Sequence, residues 1–257
     1  MDDAELLDIA VEAAHAAAEE LRKRFGHTGG VRAKSTPTDL VSDADLAAEC
    51  AIRSVLAERR PGDAVLGEEE GESGDGELRW VVDPLDGTVN YLFGIPVFAV
   101  SVACEDSSGT RVGVVLDPLR KECFSCTRSG PPSLNGAPLD GVERASELRL
   151  AMVATGFSYD SAVRARQAAA VGRVLPRARD IRRAGSAALD LCWCASGRYD
   201  AFYERGLHAW DVTAGLLIAS RAGLAVRTLP ALDGEPEGVL VAPEGFVEEL
   251  VGLVTDD

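Results

Sequence analysis

The stretch Trp80-Val81-Val82-Asp83-Pro84-Leu85-Asp86-Gly87-Thr88-Val89-Asn90-Tyr91 decides how this chain is read. Three apolar residues end in an aspartate, as a buried strand does where it reaches the mouth of a sheet. Pro84 lacks a backbone donor and stiffens the turn, so the Leu85 carbonyl is a candidate neutral ligand. Asp86 follows Asp83 by three residues, inside that turn. Gly87 permits close backbone approach, and Thr88 opens a segment whose amides suit an anion, as helix N-termini do.

Two acidic positions elsewhere join this pair. Glu68 ends the apolar run Ala64-Val65-Leu66-Gly67, and Asp211 follows Trp210 at the start of a helical segment; the intervals from Glu68 through Asp83 and Asp86 to Asp211 are 15, 3 and 125 residues. Each has an ordinary reading alone: a turn former, a solvated Glu68-Glu69-Glu70 loop, a helix cap. Together, carboxylates converging on one mouth repel unless a cation lies between them. Oxygen donors favour Mg²⁺, Mn²⁺ or Ca²⁺, while three histidines and no thiolate cluster disfavour zinc.

Around this centre the hydrophobic period changes along the chain. Residues 5–25 repeat at helical spacing and end in basic residues and Gly26; residues 42–60 form a second helix with Ser42 as N-cap and Asp43 and Asp45 in its first turn. Strand-like runs come next at Val97–Ala103, Val112–Leu116 and Glu122–Thr127, joined by short turns as in a meander, and a loop runs from Pro131 to Gly141. The second half alternates: strand at Leu148–Ala154, helix at 160–175, a short extended piece at Ile181–Arg183, helix at Gly185–Ser196. It continues with Tyr199–Tyr203 extended, Trp210–Ala222 helical, Leu224–Leu229 and Val239–Val241 as strands, and Phe246–Val254 helical. The pattern predicts stacked helix and sheet layers in one domain over 1–257, with an N-terminal α+β lobe (1–145) carrying the main acidic site and a C-terminal α/β lobe (146–257) supplying Asp211.

Composition narrows the partners. The 257 residues are 46 % apolar and 26 % charged, an ordinary globular mix, with 42 acidic against 26 basic residues and a net charge of -16. Such a surface argues against nucleic acid and anionic membrane but not against a phosphorylated substrate, since bound cations invert the local field. No apolar run is long enough to cross a bilayer, and the start Met1-Asp2-Asp3-Ala4-Glu5 has no signal-peptide pattern, so a cytoplasmic chain is expected. Cys123-Phe124-Ser125-Cys126 has CxxC spacing, but on a strand positions three apart face opposite sides and no second pair completes a site.

These residues bring a family into view. Trp80 to Tyr91 closely resembles the first signature of the inositol monophosphatase family, and Gly206-Leu207-His208-Ala209-Trp210-Asp211-Val212-Thr213-Ala214-Gly215 resembles its second. Gly67-Glu68-Glu69 and Lys34-Ser35-Thr36-Pro37-Thr38-Asp39-Leu40-Val41-Ser42 with Asp45 match upstream elements, in the right order across residues 34 to 215. Val89 stands where a second Thr is common, Ser186 where a Thr is often seen, and the loop from Glu70 to Gly76 is unusually acidic.

The resemblance implies a layered αβαβα sandwich of the inositol monophosphatase/fructose-1,6-bisphosphatase type, two or three Mg²⁺ ions with Mn²⁺ as a substitute, lithium inhibition and a homodimer. It implies Glu68, Asp83 and the Leu85 carbonyl at a first metal, Asp83, Asp86 and Asp211 at a second, and Glu68 through water at a weaker third. Glu68 and Thr88 would orient the attacking water, with Asp45 in the outer shell. Gly87 and Thr88 would receive phosphate oxygens, while Asp86, Gly185, Ser186, Ala187, Glu204 and Asp211 would meet the substrate. The reaction implied is in-line hydrolysis of a phosphate monoester, with inositol 1-phosphate favoured by Asn90-Tyr91 and Glu204. Histidinol phosphate, fructose 1,6-bisphosphate and 3′-phosphoadenosine 5′-phosphate stay open as substrates. A non-enzymatic binding role would predict damaged ligand positions, yet every expected carboxylate is present. His208 reads as structural; Lys34 is open between phosphate contact and solvated loop, and Arg182 and Arg183 between a substrate's second charge and a solvated pair.

Overall fold

A computed structural model describes residues 1–26, 32–33, 40–232 and 234–255. In chain order the elements are α1 (Asp3–Arg24), the two-residue pair β1 (Arg32–Ala33) and β2 (Leu40–Val41), α2 (Asp43–Arg59), β3 (Ala64–Gly67), β4 (Gly71–Ser73), β5 (Arg79–Asp86), α3 (Thr88–Leu92), β6 (Ala99–Asp106), β7 (Gly109–Asp117), β8 (Glu122–Thr127), β9 (Ser133–Leu134) and β10 (Ala137–Pro138). The second half holds β11 (Met152–Thr155), α4 (Ser161–Val174), β12 (Asp180–Arg182), α5 (Ala187–Ala195), β13 (Ala201–Arg205), α6 (Ala209–Arg221), β14 (Ala225–Leu229), β15 (Gly238–Ala242) and α7 (Val247–Thr255).

Strand alternation dictates the layering. On β5, Trp80 and Val82 join a core with Leu6, Ile9 and Ala13 of α1 and Ile52 and Leu56 of α2. Val81 points the other way, into a core with Ala188, Leu189 and Cys192 of α5 and Ala214 and Ile218 of α6. The far side of those helices (Leu191, Cys194, Ala219) packs on Ala154, Phe202 and Val241 of a second sheet. That sheet's outer face (Val153, Ala201, Leu240) is covered by Val174 of α4 and Val247, Leu250 and Val254 of α7. The stack is therefore helix pair, sheet, helix pair, sheet, helix pair: an αβαβα sandwich.

The first sheet has the order β10-β9-β8-β7-β6-β5-β3-β4 and the second β12-β11-β13-β15-β14. The first sheet is drawn wholly from residues 64–138 and the second from 152–242, yet α5 and α6 lie between them. Cys123 packs beside the α1/α2 core and Cys126 in the α5/α6 core, on opposite faces of β8, so the CxxC pair forms no joint site.

Two sequence expectations are corrected. Leu148–Ala154 is not one strand: Leu148–Leu150 is a 3₁₀ turn closed by Leu150 N to Glu147 O (3.0 Å), and pairing starts only at Met152 opposite Asp180. The Pro131–Gly141 loop contains the β9–β10 hairpin, whose turn residues Asn135 (φ 51°) and Gly136 (φ 79°) are both left-handed. That Asn-Gly pair is the strongest short-range hairpin signal a sequence carries.

Candidate active site

The site begins with a bulge. Between Asp83 (opposite Ser101) and Asp86 (opposite Ala99), β5 advances three residues while β6 advances two. Pro84 cannot donate to the ladder, and the extra residue reverses the facing of the residues beyond it. Without it Asp86 would share the α1/α2 face with Trp80 and Val82. With it Asp86 faces α5, where its Oδ2 accepts from Ser186 Oγ (2.5 Å) and Ala188 N (2.7 Å). Asp83 is buried, and its Oδ1 accepts from Leu85 N at 2.9 Å.

The turn then reverses through Gly87, at φ 99°. A Cβ there would meet Val97 O at 3.0 Å and Gly185 O at 3.1 Å, so only glycine fits. Thr88 starts α3, and its Oγ1 lies 3.0 Å from Leu85 O and 3.1 Å from Asp45 Oδ1. Thr88 has one hydroxyl proton for these two acceptors, so the Leu85 carbonyl keeps at least one lone pair for a cation. Asn90 and Tyr91 turn away from the cavity. Asn90 Nδ2 donates to Val97 O and Ala184 O, both at 2.8 Å, and Tyr91 Oη donates to Leu21 O at 2.8 Å. They tie the turn to its neighbours and say nothing of the alcohol, which corrects their use as substrate signals.

Helix α2 supports the site from behind. Ser42 caps it, and Asp45 closes the capping box, its Oδ2 accepting from Ser42 N (2.8 Å) and Oγ (2.6 Å). One turn on, the fully buried Glu49 accepts from Glu69 N (2.8 Å), Glu70 N (3.1 Å) and Arg53 Nε (2.9 Å). Glu49 thus holds the turn that carries Glu68, a role the sequence reading missed. Its signal was the acidic pair Asp45 and Glu49, four apart, on a helix face otherwise made of Ala48, Ile52 and Leu56.

Asp211 lies in the first turn of α6, where its Oδ2 accepts from His208 N at 2.6 Å. His208 itself caps the helix, exposed and stacked on Trp210 with ring centroids 4.7 Å apart. Glu68, Asp83, Leu85, Asp86, Gly87, Thr88, Gly185, Ala187, Glu204 and Asp211 all line one cavity of about 540 Å³, with Arg183, Gly156 and His208 in its wall. Asp45 and Ser186 are absent from that wall: Asp45 reaches it through Thr88, and Ser186 through Asp86. Arg182 pairs with Asp180 at 2.6 Å, outside the cavity. Lys34 and the stretch to Asp39 lie outside the described residues.

The crowding sets the electrostatics. Burial, then repulsion from Glu68, Asp86 and Asp211, pushes the Asp83 carboxyl well above the usual carboxylate range. Burial and Asp211 push Asp86 up to about 7 against the hydrogen bonds from Ser186, Ala188 and Ala187. Glu204 is pushed up to about 8 by burial, opposed by Arg183 and reinforced by Asp86 and Asp211. Among the described residues no three His, Cys, Asp or Glu side chains form a ready-made metal-holding group. Asp83, Asp86 and Asp211 turn instead to protein donors. A hard cation fits this donor set, because carboxylates that repel one another this strongly ionise together only around positive charge.

Comparison with known proteins agrees with this architecture. The model of the inositol monophosphatase family matches residues 2–254. An inositol-1-monophosphatase SuhB from Mycobacterium tuberculosis (strain ATCC 25618 / H37Rv) is 41 % identical over 236 residues, 88 % of this chain and 81 % of that protein. Nus factor SuhB from Escherichia coli (strain K12) is 40 % identical over 226 residues, 85 % and 83 % of the two chains. Among solved structures, the extragenic suppressor protein suhB from Bartonella henselae superposes with a TM-score of 0.89 at 32 % identity over 98 % of both chains. Inositol monophosphatase from Anabaena (Nostoc) sp. PCC 7120 gives 0.82 at 31 % identity over 97 % and 94 %. Fold and site together define a phosphatase with an acidic cavity between two sheet layers. The chain belongs to the inositol monophosphatase family, whose members are generally Mg²⁺-dependent.

Proposed function

We propose that this phosphatase hydrolyses the phosphate monoester of a small polyol, with inositol 1-phosphate as substrate, by in-line attack of water. The observation that carries the proposal is one cavity in which Glu68, Asp83, Asp86, Asp211 and Leu85 adjoin Glu204 and the 185–187 loop. Mg²⁺, or Mn²⁺ in its place, held by those four carboxylates and the Leu85 carbonyl would supply Lewis-acid charge and acidify water.

The chain's own groups do the positioning. Thr88 Oγ1 gives its proton to Asp45 or to Leu85 O, so its lone pairs face the cavity and accept from the attacking water. Asp45 stands in the outer shell within hydrogen-bond reach of Thr88, and Glu68 takes the water's other hydrogen. Amides at Gly87 and Thr88 receive phosphate oxygens. Glu204 and the Gly185–Ala187 backbone meet hydroxyls of the alcohol.

Arg183 in the wall favours a substrate with a second negative charge, such as fructose 1,6-bisphosphate or 3′-phosphoadenosine 5′-phosphate. It stands, however, beside the buried Glu204 and Asp190 and draws both toward their ionised forms, and a guanidinium so engaged favours an uncharged polyol. A homodimer belongs to the same proposal: the exposed Phe93 and Ile95, just beyond α3, offer it apolar area, and sedimentation equilibrium reads the mass. The Nus factor name describes the E. coli relative; the intact carboxylate set favours hydrolysis for this chain.

The test is phosphate release with Mg²⁺ from inositol 1-phosphate, histidinol phosphate, fructose 1,6-bisphosphate and 3′-phosphoadenosine 5′-phosphate, each with and without lithium. The highest kcat/KM is expected for inositol 1-phosphate, with lithium inhibiting. A clear preference for any other substrate would overturn the substrate assignment and leave the reaction class.

A further inference from the structure

We infer that Gly156 is a positioning residue for Glu204, and that its missing side chain sets how the site grips the alcohol. The inference rests on the reading of Glu204 as a polyol contact. Gly156 directly follows β11, whose last registered pair is Thr155 opposite Tyr203 on the parallel strand β13. It therefore stands beside Glu204, the next residue of β13, and both line the cavity. A Cβ on Gly156 would overlap the Glu204 carboxylate: its three nearest atoms are Oε2, Cδ and Oε1. The carboxylate occupies the space that the side chain of any other residue would fill.

The strand has no freedom to relieve that overlap. On its other side β13 pairs with β15, Glu204 opposite Val239 and Arg205 opposite Gly238. Gly238 is itself closed upon, since a Cβ there would overlap the Glu204 carbonyl. Arg205, next along, is buried with Nη1 on Pro230 O (2.7 Å) and Pro236 O (3.0 Å). With the backbone held on both edges, a methyl at 156 moves only the flexible end of Glu204. The metal-side carboxylates lie on the turn after β3, on β5 and on α6, and the phosphate turn is at Gly87–Thr88, so none of them shares this contact. Position 156 thus separates affinity for the alcohol from handling of the phosphate.

The experiment measures kcat and KM for inositol 1-phosphate and for p-nitrophenyl phosphate, which has no polyol, together with inhibition by inorganic phosphate and the melting temperature. The variants are Gly156→Ala, Glu204→Gln, Glu204→Asp and Gly156→Ala/Glu204→Asp. Gly156→Ala should raise KM for inositol 1-phosphate about tenfold, the loss of roughly one hydrogen bond. The p-nitrophenyl phosphate constants and phosphate inhibition should stay unchanged. Because Asp is one methylene shorter and withdraws from the added methyl, the double variant should bind no worse than Glu204→Asp alone. That comparison decides the matter even if Gly156→Ala alone folds poorly. An unchanged KM in Gly156→Ala while Glu204→Gln raises it, an equal loss on both substrates, or a double variant worse than Glu204→Asp, would each overturn the inference. An unchanged KM in Glu204→Gln would instead remove Glu204 as a polyol contact, and this inference with it.

Discussion

Asp86 joins the two halves of the site: its charge faces the cavity while its Oδ2 holds Ser186 and the first turn of α5. An Asp86→Asn side chain keeps a carbonyl acceptor for both donors but loses the charge and one acceptor oxygen. Its melting temperature should stay near that of the parent while kcat falls by about 100-fold or more, the scale of losing one aimed electrostatic group. Near-normal turnover would contradict the role given to Asp86. Glu49 poses the converse case, a residue outside the cavity whose loss acts on structure. Glu49→Ala strips the acceptor from Glu69 N, Glu70 N and Arg53, and should destabilise by about 3 kcal/mol in chemical denaturation. Glu68 and Asp83 were legible because each ends an apolar run, Asp86 because it lies in the turn after Asp83, and Asp211 because it opens a helical segment. Glu49 was not, since its backbone partners Glu69 and Glu70 lie 20 and 21 residues on and meet it only when the end of β3 at Gly67 is brought against α2.

At the scale of elements, the bulge in β5 and the left-handed Gly87 turn two consecutive strand faces into one shared mouth. Gly87→Ala combines positive φ with contacts at 3.0–3.1 Å to two backbone carbonyls. It should cost at least about 1–2 kcal/mol and carry activity down with it, as thermal melts and phosphate release would show. A silent Gly87→Ala would mean that the turn relaxes freely. The α2 start was legible because Ser42 and Asp45 spell a capping box locally. The same Asp45 carboxylate also faces Thr88, 43 residues away, and no local pattern announces that second partner. Leu148–Ala154 misled because apolar composition alone cannot tell a strand from a turn that finds no neighbouring strand.

Across the whole molecule, stability depends on α5 and α6 serving both sheets at once. The continuous apolar run Trp80-Val81-Val82 implied a strand buried on both faces, but which helices fill the central layer depends on contacts between distant halves of the chain. One tie crosses that layer by charge: Arg198, just after α5, makes two hydrogen bonds to Glu122 of β8, at 2.6 and 2.5 Å. The Arg198 guanidinium holds the Glu122 carboxyl below its ordinary value. Its folded pKa is thus lower than its unfolded pKa. The tie contributes stability above the ordinary carboxylate range and loses it as pH falls through the depressed value. Urea midpoints of the parent and Glu122→Gln should differ at pH 7 and converge on acidification; a gap that widens in acid would contradict this.

The proposed catalysis turns on the carboxylates of β5, α6 and the Glu68 turn acting around a divalent cation. The most direct measurement is phosphate release from inositol 1-phosphate by chelator-stripped protein, recorded as Mg²⁺ is added back. Release should be absent in excess EDTA and return with saturable dependence on Mg²⁺. Full release in excess EDTA would contradict the account.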